Sequence, residues 1–474
     1  MEKITIGMVA TRRNVFSKEE AKRFKNIVKE QLAALPFEII DIDDINEEGL
    51  LYDEKFIPAI VEKMKAANVD GMFIPHCNFG SEMLVSEVCR QIEKPVLLWA
   101  PRDDAPTADG TRTRDSQCGL FATGKVLRRF NVPYTYLNNT AADSEYFLKG
   151  FADFCAVCAA VKAFKNTRVL QIDTRPQAFW TMIVNEGELL EKFGIKTIPI
   201  TLADINWRML KVLEEKGEDY EATLERVRTK MNCCAVTEED TEKIAALKVA
   251  MKQRAEELNC NAIAVQCWDD MQDLMGIMPC VSNGLLTEEG LPVVCETDIH
   301  GAATARMISA ATLGTTIFFA DLTVRHPENN NAELLWHCGN FPLSLKAEDS
   351  TAEVFKNVIL PSKAPGLGGW RIKDGEITIA RFDGDHGEYK LFIGEGKSVP
   401  GPKTNGTYVW FEVDNWAKWE KKLVTGPYVH HCAGAYGNVG HILKEACKYI
   451  PGLTADPATC AIDEMLEDRW IDAE

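Results

Sequence analysis

Along the first third of the chain, apolar positions alternate between two periods. Short runs rich in β-branched, aromatic or leucine residues, Ile4 to Val9, Phe37 to Ile40, Gly71 to Ile74 and Val96 to Trp99, are separated by longer segments of helical spacing, one from Lys18 and one over Phe56 to Ala67. That rhythm predicts a parallel sheet covered by helices. The loops after its strands form the edge where such sheets bind ligands. Two are unusual: A-T-R-R-N-V, with Arg12 and Arg13, and P-H-C-N-F-G-S-E, with His76, Asn78 and Ser81. Gly80-Ser81-Glu82 reads as a helix start, whose N–H groups either hold an oxygen-rich ligand or are simply capped. From Pro101 to Cys118 the pattern lapses into a polar stretch with Pro and Gly, a long loop of the functional or mobile kind. A helix from about Ala142 to Phe164 then leads to a second domain.

The second domain repeats the rhythm, with strands over Val169 to Ile172, Lys196 to Ile200 and Asn261 to Gln266. A charged segment from about Lys211 to Lys248 reads as solvated helices. At the end of the third strand stand Gln266, then Asp269, Asp270 and Asp273, which suit the first turn of a helix because its dipole favours acids there. Beyond Asn340 the texture changes to short alternating runs between Gly and Pro turns, as in an antiparallel β domain. The expectation is an α/β protein with two doubly wound parallel-sheet domains, residues 1–165 and 166–340, followed by a mostly antiparallel β domain with terminal helices, residues 341–474.

The candidate chemistry lies between Val294 and Asn340, in V-C-E-T-D-I-H-G, I-F-F-A-D-L and L-L-W-H-C-G-N. Each polar cluster follows an apolar run that reads as a buried strand, which would bring Glu296, Asp298, Asp321 and His337 to the mouth of one sheet. Carboxylates with imidazole suit a divalent ion such as Mn²⁺, Mg²⁺ or Zn²⁺. The alternative is that Asp298 caps the helix near Gly301 and Asp321 merely ends a strand. Late in the chain, G-P-Y-V-H-H-C offers His430 and His431; in extended backbone only one of the two can face a given site.

C-E-T-D-x-x-G, a strand ending in A-D-L, an H-C-G segment and a late His-His pair resemble the L-fucose isomerase and L-arabinose isomerase superfamily. The resemblance implies an aldose-ketose isomerase working on Mn²⁺ or another divalent cation, with an enediolate formed from an open-chain sugar. It implies Glu296 and Asp321 as metal ligands and acid/base pair, and His431, or else His430, as the third ligand. His337 would be a fourth ligand in the arabinose manner or, like Asp298, a supporting residue near the sugar. Arg12, Arg13, His76, Asn78, Ser81 and Gln266 would be substrate contacts. The first domain would cover the sugar, often from a neighbouring subunit, which implies a homo-oligomer, a hexamer or trimer. Cys77 and Asn78 depart from the fucose pattern, and Arg12, Arg13, Arg112 and Arg114 would suit an anionic sugar such as a sulfonated hexose.

Bulk properties narrow the class. The 474 residues are enough for two or three domains, and 46% hydrophobic content can bury each. A net charge of −18 argues against nucleic acid and anionic membrane as partners; a small-molecule sugar is what the resemblance implies. No run reaches the roughly 18 apolar residues of a spanning helix. Fifteen cysteines in apolar contexts point to reduced thiols and a cytoplasmic setting, and the C-x-x-C at Cys155 and Cys158 reads as core packing.

Overall fold

The computed structural model describes residues 3–357 and 363–459. Its contacts divide the chain into two compact units, one ending at Lys162 and the other beginning at Ala163. The first holds β1 (Thr5–Met8), β2 (Glu38–Ile40), β3 (Gly71–Pro75), β4 (Val96–Trp99) and β5 (Thr135–Tyr136), all paired in parallel in the order β2-β1-β3-β4-β5. Every residue of β3 and β4 is buried, as expected of central strands sandwiched between helices. The strand order reverses at β1 and β3, and there isolated bridges join Thr11 to Leu51 and to His76. Helix Glu145–Lys165 closes tightly on this sheet: a Cβ on Gly71 would lie 2.4 Å from the sulfur of Cys158. Cys155 and Cys158 are both buried, in keeping with a packing role. The polar stretch after Pro101 is pinned rather than loose. Arg114 is buried, stacks 3.4 Å over the Phe24 ring and pairs with Asp103 at 3.2 Å.

The second unit opens with another parallel sheet, built from β6 (Arg168–Ile172), β7 (Lys196–Ile200), β8 (Ala262–Val265) and β9 (Val293–Cys295) in the order β7-β6-β8-β9. Its longest helix, Glu238–Glu257, lies in the charged segment yet buries ten residues, among them Ile244 through Met251. The solvated reading fails there because the charges cluster at the two ends of the helix while its middle, Ile244 through Met251, is buried all round; the one charge in that middle, Lys248, is paired with Glu289 at 2.6 Å.

The remaining strands are β10 (Ile317–Arg325), β11 (Ala332–His337), β12 (Glu353–Lys356), β13 (Pro365–Arg371), β14 (Glu376–Asp385), β15 (Glu388–Val399), β16 (Thr407–Glu412), β17 (His431–Tyr436) and β18 (Leu453–Pro457). They form one sheet in the order β12-β13-β16-β11-β10-β17-β14-β15-β18. A further pairing of β15 with β16 closes the ring from β16 round to β15 into a barrel, which leaves those strands without an open edge. All pairings around the ring are antiparallel.

One expectation is corrected here. Asp321 does not end a parallel strand; it is the fifth of nine residues in β10, inside the antiparallel barrel. The run I-F-F-A is equally apolar whether its partners run parallel or antiparallel, so periodicity could not decide between them. Helix Ile299–Ala311 packs against β14 and β17 of the barrel and against β6 and β8 of the parallel sheet. Its N-terminus therefore stands where the two sheets meet.

Candidate active site

Three polar atoms meet at that junction. Glu296 follows β9 directly, and it and Thr297 adopt φ of +53° and +52°, a left-handed pair that turns the chain abruptly from strand to helix. Such residues cost of order 1 kcal/mol each, so this turn is held by its surroundings. Asp321 and His431 are direct cross-strand partners on β10 and β17. His431 Nε2 lies 3.4 Å from Glu296 Oε2 and 3.4 Å from Asp321 Oδ1. Both carboxylate oxygens are buried and have no hydrogen-bond partner. The remaining lone pairs are occupied: Glu296 Oε1 accepts from Trp268 Nε1 at 2.9 Å and from the Cys267 thiol at 3.5 Å.

His431 is oriented from behind. Its Nδ1 bonds Asp298 Oδ2 at 2.9 Å, which leaves Nε2 as the atom facing the two carboxylates. Asp298 also caps helix Ile299–Ala311, accepting from the Gly301 N–H at 2.8 Å, so the capping and supporting roles coexist. The line continues inward: Asp298 is paired with Arg381, Arg381 donates to Asp383 at 2.8 Å, and Asp383 meets His300 Nδ1 at 2.9 Å. All of these groups are buried.

Electrostatically the two layers differ. Burial pushes the Asp321 carboxyl up to about 7; His431 opposes the rise and Glu296 adds to it. Burial also raises Glu296, against the pull of His431, Trp268 and Cys267. For Asp298 burial acts in the same sense but is overcome by Arg381 and His431, which hold it well below the usual carboxylate range. His431 is lowered by burial, but its bond to Asp298 and the charges of Asp321, Asp298 and Glu296 raise it on balance above its ordinary value.

His337 Nδ1 accepts the Cys338 N–H at 2.9 Å, and burial depresses its pKa to about 3. Its Nε2 stands 4.0 Å from Asp321 Oδ1, and the ring lies close enough to Glu296 and His431 to share a metal ion with them. His430 precedes β17 and sits in a bend, so the alternation expected of extended neighbours does not apply to it. It is exposed, with its ring 4.5 Å from that of His431 and its ligand atom grouped with those of Asp321 and His431. Gln266 is buried and donates to Asp270 at 3.1 Å, while its neighbours Cys267 and Trp268 reach the cavity.

In the first unit the residues expected near the sugar line the sheet's carboxyl edge. Arg12 is buried, its guanidinium taken by Glu48 and stacked 4.0 Å over Tyr52. Arg13 is paired with Glu82 and donates to Gly80 O at 2.9 Å. Arg112 pairs with Asp115 at 2.9 Å. Asn78 staples the turn, its Oδ1 accepting from the N–H groups of Arg13 and Gly80. His76 is buried, with Nδ1 at 2.9 Å from Phe79 O and Nε2 unpartnered. Ser81 is the N-cap of helix Glu82–Ile92, but its hydroxyl makes no capping bond.

A cavity of about 160 Å³ lies over Glu296, Asp321 and His431, walled by Phe179, Trp268, Trp336 and Met278. Sequence reasoning missed Trp268, Cys267, Arg381, Asp383 and His300. A signal existed for two of them: Arg381 and Asp383 share one face of an otherwise apolar strand, I-T-I-A-R-F-D, where charges need partners.

Two overlapping sets of donors stand close enough to hold a divalent cation: Glu296 with His337 and His431, and Asp321 with His430 and His431.

Comparison with known proteins agrees with the geometry. Residues 7–165 match the family described as Fucose/sulfoquinovose isomerase, N-terminal domain, and residues 335–452 match L-fucose isomerase, C-terminal domain. A sulfoquinovose isomerase of Alkalicoccus urumqiensis is 29% identical over 66% of this chain and 69% of its own. Another, of Priestia aryabhattai, is 24% identical over 94% of this chain and 97% of its own. The chain belongs to the fucose isomerase-like superfamily and is an intramolecular oxidoreductase of the aldose-ketose isomerase type.

Proposed function

We propose that the chain interconverts an open-chain aldose and ketose carrying a sulfonate, by proton transfer between adjacent carbons through an enediolate, with Mn²⁺ or another divalent cation at Glu296, Asp321 and His431. The observation that carries this is the convergence of two unpartnered carboxylate oxygens on one imidazole nitrogen. The cation would supply charge stabilisation for the two oxygens of the enediolate.

The chain's own groups divide the remaining work. One carboxylate takes the proton from C2 and the other passes a proton between the sugar oxygens. Burial raises Asp321 to about 7 in the metal-free chain; beside a bound cation its carboxyl falls again, leaving the carboxylate free to accept a proton. Trp268 Nε1 fixes one oxygen of Glu296, so the other is aimed. His337 Nε2–H and the exposed His430 are placed to donate to sugar oxygens and to open the ring. The aromatic walls, where Phe179 packs 4.9 Å from Trp268, exclude water from the enediolate. The sulfonated substrate is favoured over a neutral sugar by the relatives' names. A homo-oligomer and a cytoplasmic setting belong to the same reading; all described cysteines are free thiols, as a reducing compartment would keep them.

The test is an assay of chelator-treated protein against neutral and sulfonated aldoses, with and without Mn²⁺. Conversion of the sulfonated hexose alone, restored by Mn²⁺ and lost in Glu296→Gln, is expected. Unchanged turnover in Glu296→Gln would overturn the assignment of the base.

A further inference from the structure

The hard donor set is backed by a soft one. Cys267, Cys280, Cys295 and Cys338 all border the cavity, and none is in a disulfide. Cys267 Sγ, Cys295 Sγ and a Glu296 carboxylate oxygen lie within 4.8 Å of one another, and all three residues are buried. Two sulfurs and a carboxylate oxygen this close can share one ion of the kind that takes mixed sulfur and oxygen ligands. Two buried amides, Asn283 Nδ2 at 3.7 Å and Asn340 Nδ2 at 3.6 Å, are directed at the Cys295 sulfur. These amides orient the Cys295 sulfur within the cluster.

We propose that Cys267, Cys295 and Glu296 form a second, thiophilic metal site that takes Zn²⁺ or a softer divalent ion. Each thiol gives up its proton to solvent on coordination, so two protons leave per ion bound. Glu296 is common to this site and to the hard donor set. A soft ion therefore withdraws Glu296 from Asp321 and His431, and the enzyme discriminates between metals by which side of one carboxylate is engaged. This rests on the proposed role of Glu296 only for its inhibitory consequence; the thiolate site stands on its own geometry.

The test uses Cd²⁺ as the probe on chelator-treated full-length protein in which the exposed Cys118 and Cys234 are changed to serine. Titration is expected to produce a sulfur-to-cadmium charge-transfer band that saturates at one ion per chain and disappears in Cys267→Ser with Cys295→Ser. X-ray absorption on the cysteine-containing parent, which needs no core substitution, is expected to find two sulfur neighbours around cadmium. A shell of oxygen and nitrogen only, or a band unchanged by the two serines, would overturn the proposal. Mn²⁺ binding is followed in parallel. A thiolate band without Mn²⁺ binding would refute the hard-site reading while sustaining this one, and Mn²⁺ activation without the band would do the reverse.

Discussion

Glu296 and Asp298 are two residues apart, equally inaccessible to water, and electrostatically opposite. Asp298 is bound on every side, by Arg381, by His431 and by the first turn of the helix it caps. Glu296 keeps one oxygen without any partner, and Asp321 opposite it does the same. In the backing layer Arg381 stands between two carboxylates and holds both; the facing layer has no guanidinium and keeps free oxygens that can act. What separates them is not burial, which raises both carboxyls, but whether a guanidinium stands beside them.

The largest effect should come from emptying the facing layer. Glu296→Gln or Asp321→Asn is expected to lower kcat by about 10³-fold or more, since each removes both a proton carrier and a donor atom. Steady-state rates on the sulfonated aldose, with metal binding measured separately, check this. The backing layer is broken by Arg381→Met, which leaves Asp298 and Asp383 as buried charges without their cation. Loss of about 3–5 kcal/mol of stability is expected, read from denaturant midpoints of the metal-free protein. A loss no larger than that of a surface substitution would mean that the layer is not held through Arg381.

The contrast also has a pH signature. Asp321 and Glu296 are raised, and so is His431; each binds its proton more tightly in the folded chain than in the unfolded one. Between about pH 4 and 7 the contribution of Asp321 to the stability of the metal-free fold should therefore fall as pH rises, against an opposite contribution from His76, His337 and His430, which burial lowers; the difference between the native protein and Asp321→Asn across that range isolates it. Asp298, which is lowered, contributes in the opposite sense, its stabilisation vanishing only in acid. Because a cation must displace the protons of the facing layer, the rise in Tm on adding Mn²⁺ should be larger at pH 8 than at pH 6. An equal rise at both would place the cation elsewhere. The smallest effect is expected from Trp268→Phe, which removes one hydrogen bond to Glu296 Oε1, worth about 1.5–3 kcal/mol for a charged acceptor, and should lower kcat more than it raises KM.

The elements near the site were legible unevenly. Strand Val96–Trp99 was readable to the residue, because a buried parallel strand is a compact apolar run between turn residues. Helix Glu238–Glu257 was misjudged, since the charges at its two ends mask a buried middle. Gln266 drew attention as a match to a sugar contact, while the indole next to it is the group that touches Glu296. A strand end announces that polar groups gather there, but not which of three consecutive side chains turns inward.

By itself the sequence determined the alternation of strands and helices, the acidic and thiol-rich composition, and Glu296, Asp321 and the pair His430 and His431 as donors worth bringing together, without deciding between the two histidines. These are local properties, written within a few residues of each position. Tertiary structure decided that Asp321 faces His431 across two antiparallel strands, that Arg381 pairs with Asp298 and not Glu296, and that His337 is held at Nδ1 by the Cys338 N–H with its Nε2 toward Asp321. Each of these depends on which distant segment arrives alongside and on the charge it brings, and no stretch of chain carries that information about its neighbours.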